Sequence, residues 1–185
     1  SPVDDALGRD DRDGLNLGGS RLRFHTRTMN LPGSPFLARD AAGTLTLEGH
    51  ALAGLAHEFA TPLYVYSRQA MRAAVTAYQQ ALAGRPHLVC YAMKANSSLA
   101  VLQTFAEAGC GFDIVSAGEL QRVLAAGGSA DQVVFSGVGK TRAEMRLALE
   151  AGVRCFNVES EAELDVLSEG ATAMGKTAPI SLRVN

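Results

Sequence analysis

The 185-residue sequence is 47% hydrophobic with a formal net charge of −2, enough apolar content to bury a core and too little positive charge to make nucleic acid or an anionic membrane its main partner. A small molecule is the expected one. No stretch approaches the roughly 20 apolar residues of a membrane span, and the three cysteines, odd in number and without CxxC spacing, indicate neither a disulfide framework nor a metal site and fit a reducing cytoplasm.

Residues 1–28 are charged, glycine-containing and without sustained periodicity, and read as a flexible tail or non-native leader, with Met29 a natural start. Residues 29–62 form a lead-in: a turn at Asp40 to Gly43, a strand at Thr44–Leu47, and a helix on which Leu52, Leu55, Ala56 and Phe59 recur at i, i+3, i+4 and i+7. Over 63–185 short strands alternate with amphipathic helices. LYVYS precedes a helix with Met71, Val75, Tyr78 and Leu82; HLVCYAMK precedes one with Leu99, Leu102 and Ala106. FDIVS, VVFSG and CFNVE follow, with helices carrying Leu120, Val123 and Leu124, then Met145, Ala148 and Leu149, then Leu164, Leu167 and Ala171, before a last strand ISLRVN. Alternation at this spacing predicts βαβ units and a parallel sheet.

Local chemistry marks the same boundaries. Ser116, Thr141 and Ser160 each stand three residues before a glutamate (Glu119, Glu144, Glu163), the spacing of a capping box. Gly109, Gly127 and Gly152 each close an apolar stripe, where a residue free to take positive φ satisfies the last carbonyls of a helix. Alternation alone does not separate a doubly wound sheet from a barrel. In ISLRVN, however, Ile180, Leu182 and Val184 share one face while Ser181, Arg183 and Asn185 share the other, and CFNVE splits the same way, with Asn157 and Glu159 polar. A parallel strand with one polar face is expected to line a site.

HLVCYAMKAN ends an apolar strand with a lysine, and strict alternation puts Leu88, Cys90, Ala92 and Lys94 on one face. An amine at the carboxyl end of a parallel strand stands where active sites of (β/α) folds gather, and a desolvated amine is suited to Schiff-base chemistry; a lysine simply reaching solvent fits the same pattern. FSGVGKT is not a phosphate loop, because that motif needs glycine where Val134 stands. Lys140 then reads as a surface residue at a helix start, and His87 as a structural residue opening a strand.

YAMKANSSLAVLQ resembles the cofactor-lysine motif of the fold-type III pyridoxal-phosphate enzymes. GCGFDIVSAGEL, FSGVGKT, CFNVES and ISLRVN then follow in the order and spacing of the diaminopimelate decarboxylase branch of that family, a resemblance running from about Gly43 to Asn185. It implies an α/β fold, part of a (β/α)8 TIM-like barrel of the alanine racemase and ornithine decarboxylase type, with about five of eight strands present from HLVCYAMK onward and the C-terminal β-domain missing. It implies pyridoxal 5'-phosphate as cofactor, held covalently by Lys94, with Asp113 and Arg183 as further cofactor-binding positions. Asp113 matches an acidic residue near the lysine, a salt bridge or turn being its other reading; Arg183 matches a barrel-strand arginine, a structural ion pair being its other reading, and the two are candidates to pair with each other. Glu119 fits the motif but is also accounted for by the Ser116 cap. No histidine matches the one that stacks on the cofactor in this family.

The activity implied is decarboxylation of meso-2,6-diaminopimelate to L-lysine by a cytoplasmic homodimer, the 185 residues alone being inactive because most phosphate and substrate contacts lie elsewhere. The alternatives are an ornithine- or arginine-type decarboxylase, an alanine racemase-like enzyme, or a non-catalytic cofactor-binding module.

Overall fold

The computed structural model describes residues 36–184 and, before them, only two short strands, β1 (Asn16–Leu17) and β2 (Ser20–Arg21), paired antiparallel. The expected tail over 1–28 and the start at Met29 otherwise fall outside the described residues, as does Asn185. The chain divides into two compact units, residues 1–65 and 66–185.

In the first unit β3 (Leu37–Arg39), β4 (Leu45–Leu47) and β5 (His50–Ala51) form an antiparallel sheet in chain order, followed by α1 (Leu52–Phe59). The strand begins at Leu45 because Thr44 belongs to the turn. Asp40 Oδ1 accepts from the backbone N–H groups of Ala42 and Thr44, each at 2.9 Å, and Gly43 takes φ +81° between them, a conformation open to glycine.

The second unit begins with α2 (Arg68–Ala81) and then repeats strand and helix: β6 (Cys90–Ala92), α3 (Leu99–Glu107), β7 (Gly111–Ile114), α4 (Ala117–Ala125), β8 (Val133–Phe135), α5 (Arg142–Ala151), β9 (Cys155–Val158), α6 (Glu161–Ala173) and β10 (Ile180–Leu182). The five strands β6 to β10 form one sheet in sequential order, every pair parallel. A doubly wound sheet reverses its strand order at a switch point and a barrel does not. With that order, and with an apolar core on one face only, the unit is five consecutive strands of a (β/α) barrel.

That core lies between sheet and helices. Phe112, Ile114, Val133, Phe135 and Phe156 are fully buried and Val158 nearly so, against Leu102, Leu120, Val123, Met145, Ala148 and Leu167 from the helices; each such side chain contributes roughly 1.5–3 kcal/mol by burial. The expected stripes therefore face inward, except at Leu124 of α4, which is exposed beside the buried Leu120 and Val123, and at the margins. Tyr78 and Leu99, on the outer helices, are 64% and 46% exposed, and on β10 Ile180 and Leu182 are exposed because no described helix follows to cover them.

LYVYS forms no strand. Residues 63–67 join no ladder, and Tyr64 is 85% exposed. An extended segment becomes a strand only by pairing, and the sheet's outer edge is β6.

The helix ends follow the sequence with one variation. Thr141 and Glu144 make a reciprocal capping box, and Ser116 and Ser160 accept from the N–H groups of Glu119 and Glu163. The carboxylates of Glu119 and Glu163 reach one residue further back, to the N–H of Val115 at 2.7 Å and of Glu159 at 3.1 Å. Gly109, Gly127 and Gly152 take φ of +76°, +85° and +76° at the ends of α3, α4 and α5. Among the described residues no helix is long and apolar enough to cross a membrane.

Candidate active site

Parallel register fixes which side chains share the face turned away from the helices. Ala92 is opposite Asp113, Asp113 opposite Val134, and Val134 opposite Cys155, while Asn157 is opposite Ser181. Stepping two residues along each strand adds Ser136, Glu159 and Arg183 to the same side. The polar face read from ISLRVN and CFNVE is thus one surface across four strands, and its polar residues gather at the carboxyl ends.

Lys94 stands at that edge but not on the strand. β6 stops at Ala92, and Met93–Ala95 form a short 3-10 turn, so the strict alternation expected through Lys94 is interrupted. Met93 is fully buried and pulls the chain toward the core, while the turn is tied behind it: Tyr91 donates through its hydroxyl to the carbonyl of Asn96 at 3.1 Å, Asn96 Oδ1 accepts from the N–H of Ser98 at 2.9 Å, and Arg122 Nε of α4 donates to the carbonyl of Ser97 at 2.9 Å. Lys94 itself is exposed and makes no hydrogen bond or ion pair with any described residue. Its anchored backbone and free amine suit it to react with something else.

Asp113 projects from the neighbouring strand and is partly buried. Its Oδ1 accepts from the Ser136 hydroxyl, and Ser136 Oγ accepts in turn from Asn157 Nδ2 at 2.9 Å. Arg183 does not pair with Asp113. Its guanidinium lies 3.4 Å from Glu159 Oε2, two residues beyond Asn157 on the next strand, because Glu159 and Arg183 share the edge row while Asp113 sits three strands away. Glu159 Oε1 also accepts from the N–H of Gly137 at 3.0 Å. Glu119 is a capping carboxylate, as its position after Ser116 suggests.

Lys140 is where the sequence reading fails. Rather than lying at the surface, its side chain is fully buried, with its ammonium donating to the carbonyls of Gly137 at 2.7 Å and Asn157 at 2.8 Å and to Glu163 Oε1 at 2.6 Å. Three donors meet three acceptors, and the Phe135 ring lies 5.8 Å away. Its acceptors come from three separate segments, so no local pattern announces them. Ser136 was more legible: alternation from Val134 puts its hydroxyl on the polar face.

The turns at this edge are fastened to one another by carboxylates. Glu144 of α5 accepts from the N–H of Ala117 at the start of α4, at 3.1 Å, as well as from the N–H of Thr141 at 3.0 Å. These bonds, to the Thr141 backbone first, then to Ala117 and to the Thr141 hydroxyl, hold the Glu144 carboxyl below its ordinary range. The cysteines take no part in this edge. All three are free thiols, and burial pushes each of them up from its ordinary value, which makes poor nucleophiles of them.

Comparison with known proteins gives this edge a context. Residues 68–185 match the family model described as pyridoxal-dependent decarboxylase, pyridoxal binding domain. The diaminopimelate decarboxylase of Pseudomonas aeruginosa is 61% identical over 150 residues, 81% of this chain and 36% of the relative. That of Vibrio cholerae is 57% identical over 143 residues, 77% of this chain and 34% of the relative. A crystal structure of diaminopimelate decarboxylase from M. jannaschii in complex with L-lysine superimposes with a TM-score of 0.77 at 34% identity, covering 80% of this chain and 36% of that one. The chain spans about a third of the length of the curated relatives it matches.

Proposed function

The chain belongs to the pyridoxal-dependent decarboxylases, and from that premise we propose that it is the lysine-bearing front part of an enzyme that decarboxylates meso-2,6-diaminopimelate to L-lysine, with Lys94 as the residue that holds the cofactor. The observation that carries the reading is the free amine of Lys94, on an anchored turn at the carboxyl edge of a barrel sheet, in a chain 61% identical to a diaminopimelate decarboxylase.

The residues present fit pyridoxal 5'-phosphate. Lys94 offers a primary amine with no hydrogen-bond or ion-pair partner among the described residues, the group with which an aldehyde cofactor condenses; it stands exposed here and not desolvated as the sequence led one to expect. The adjacent strand offers a carboxylate already oriented by a hydroxyl. When bound, the cofactor supplies an electron sink for the charge left as carbon dioxide departs. The chain's own part is to hold and to orient. Lys94 is the residue whose amine would hold the cofactor. Asp113, paired in register with Ala92 two residues before Lys94, would present its carboxylate to the bound group from the neighbouring strand. Arg183, kept at the edge row by Glu159, brings a positive charge suited to an anionic group of cofactor or substrate.

The same reading extends to a homodimer in the cytoplasm, and to the absence of turnover by the 185 residues alone, since two thirds of the relatives' length lies elsewhere. Domain limits at 1–28, 29–62 and 63–185 go with it. The test is carbon dioxide release by the full-length protein from meso-diaminopimelate, ornithine and arginine in parallel. Lysine formation from the first and no turnover of the others is expected. Preference for ornithine or arginine would replace the substrate assignment, and turnover by the isolated 185 residues would refute the division of labour.

A further inference from the structure

We infer that Ser136 is a positioning residue for Asp113, set in place by Asn157 and by the buried ammonium of Lys140; this rests on the reading of Asp113 as a cofactor-facing residue. A hydroxyl has one proton to give. Asn157 Nδ2 donates to Ser136 Oγ at 2.9 Å, so the hydroxyl acts as acceptor on that side and directs its own proton to Asp113 Oδ1. One oxygen of Asp113 is thereby fixed, and the other has no partner among the described residues and remains available to a bound group.

The amide and hydroxyl members of the relay are held through the backbone. Lys140 Nζ donates to the carbonyl of Asn157 and to that of Gly137, the residue after Ser136. It does so from the helix side of the sheet, with its side chain fully buried and its charge compensated by Glu163. The ends of β8 and β9 are thus pinned to each other, which sets the Asn157 amide against the Ser136 hydroxyl, and that hydroxyl reaches the Asp113 carboxylate on β7. If the relay merely satisfied polar atoms, removing the hydroxyl would alter stability and leave the cofactor's surroundings unchanged.

The test uses the full-length protein with pyridoxal phosphate. Ser136→Ala is expected to shift the visible absorption maximum of the bound cofactor and to lower kcat about tenfold, the scale of one hydrogen bond to a charged group, with KM little changed. Ser136→Thr, which keeps the hydroxyl, restores both. Asn157→Ala, which frees the hydroxyl to turn away, moves the spectrum in the same direction by less and keeps the question answerable should Ser136→Ala fold poorly. An unchanged spectrum and kcat in Ser136→Ala and Asn157→Ala, with Lys94→Ala abolishing the band, overturns the positioning role while leaving the cofactor assignment intact. A band that survives Lys94→Ala overturns the assignment itself and the inference with it.

Discussion

Lys140 Nζ lies 2.6 Å from Glu163 Oε1, with the two side chains 0% and 8% exposed. A pair so enclosed is held less by its own attraction than by the cost of separating it, since either partner alone is a buried charge without compensation. Lys140→Met in the full-length protein is expected to destabilise by about 3–5 kcal/mol, measured as a lowered midpoint in urea. Replacing both residues together, Lys140→Met with Glu163→Leu, is expected to recover part of that loss. A single substitution that leaves the midpoint unchanged would show that the ammonium does not anchor the strand ends.

Glu144 ties the start of α5 to the start of α4, and its hydrogen bonds favour the carboxylate. Its folded value is depressed below the ordinary 4.5, so its contribution is fully present above that value and is lost as pH falls through the lower folded value. Glu144→Gln should therefore be less stable than the parent near pH 7, and the two should converge as the pH is taken down past the carboxylate range. Urea midpoints across that range check it. A gap that stays constant with pH would mean the carboxylate charge is not what matters.

Gly111, the first residue of β7, is needed for lack of room. A Cβ built there would stand 2.4 Å from the carbonyl oxygen of Gln132 and 2.9 Å from Cys90 Sγ, and the first of these is backbone that cannot swing aside. Gly111→Ala is expected to cost about 1–3 kcal/mol through displaced strands, read by thermal or urea unfolding. A neutral effect would show that β7 and β8 separate freely at this point.

How far the sequence shows these features depends on the range of the interaction. Helix ends are written in adjacent residues: Ser116, Thr141 and Ser160 cap as their spacing implies, though only Thr141 with Glu144 closes the full box, and Gly109, Gly127 and Gly152 take positive φ. Side-chain alternation carries nearly as far: it pairs Asn157 with Glu159 and Ser181 with Arg183 on the polar side of each strand, and the register then joins the two sides into one face. Interactions between strands are not local, and there the expectations diverge. LYVYS has a strand's composition but no partner in the sheet, Arg183 reaches Glu159 instead of Asp113, and Lys140, close to two glycines before a helix start, is buried against carbonyls 3 and 17 residues away and a carboxylate 23 residues away. Alternation alone left barrel and doubly wound sheet open; the family resemblance implied the barrel, and the strand order bears it out.

The claim on which the functional reading depends is that Lys94, and no other lysine, carries the cofactor. The most direct measurement is borohydride reduction of the full-length protein incubated with pyridoxal phosphate, followed by proteolysis and mass spectrometry of the modified peptide. A stable pyridoxyl group on the peptide containing YAMKAN, at Lys94, is the result expected. A group found on Lys140, Lys176 or a lysine elsewhere in the protein, with Lys94 unmodified, would contradict it.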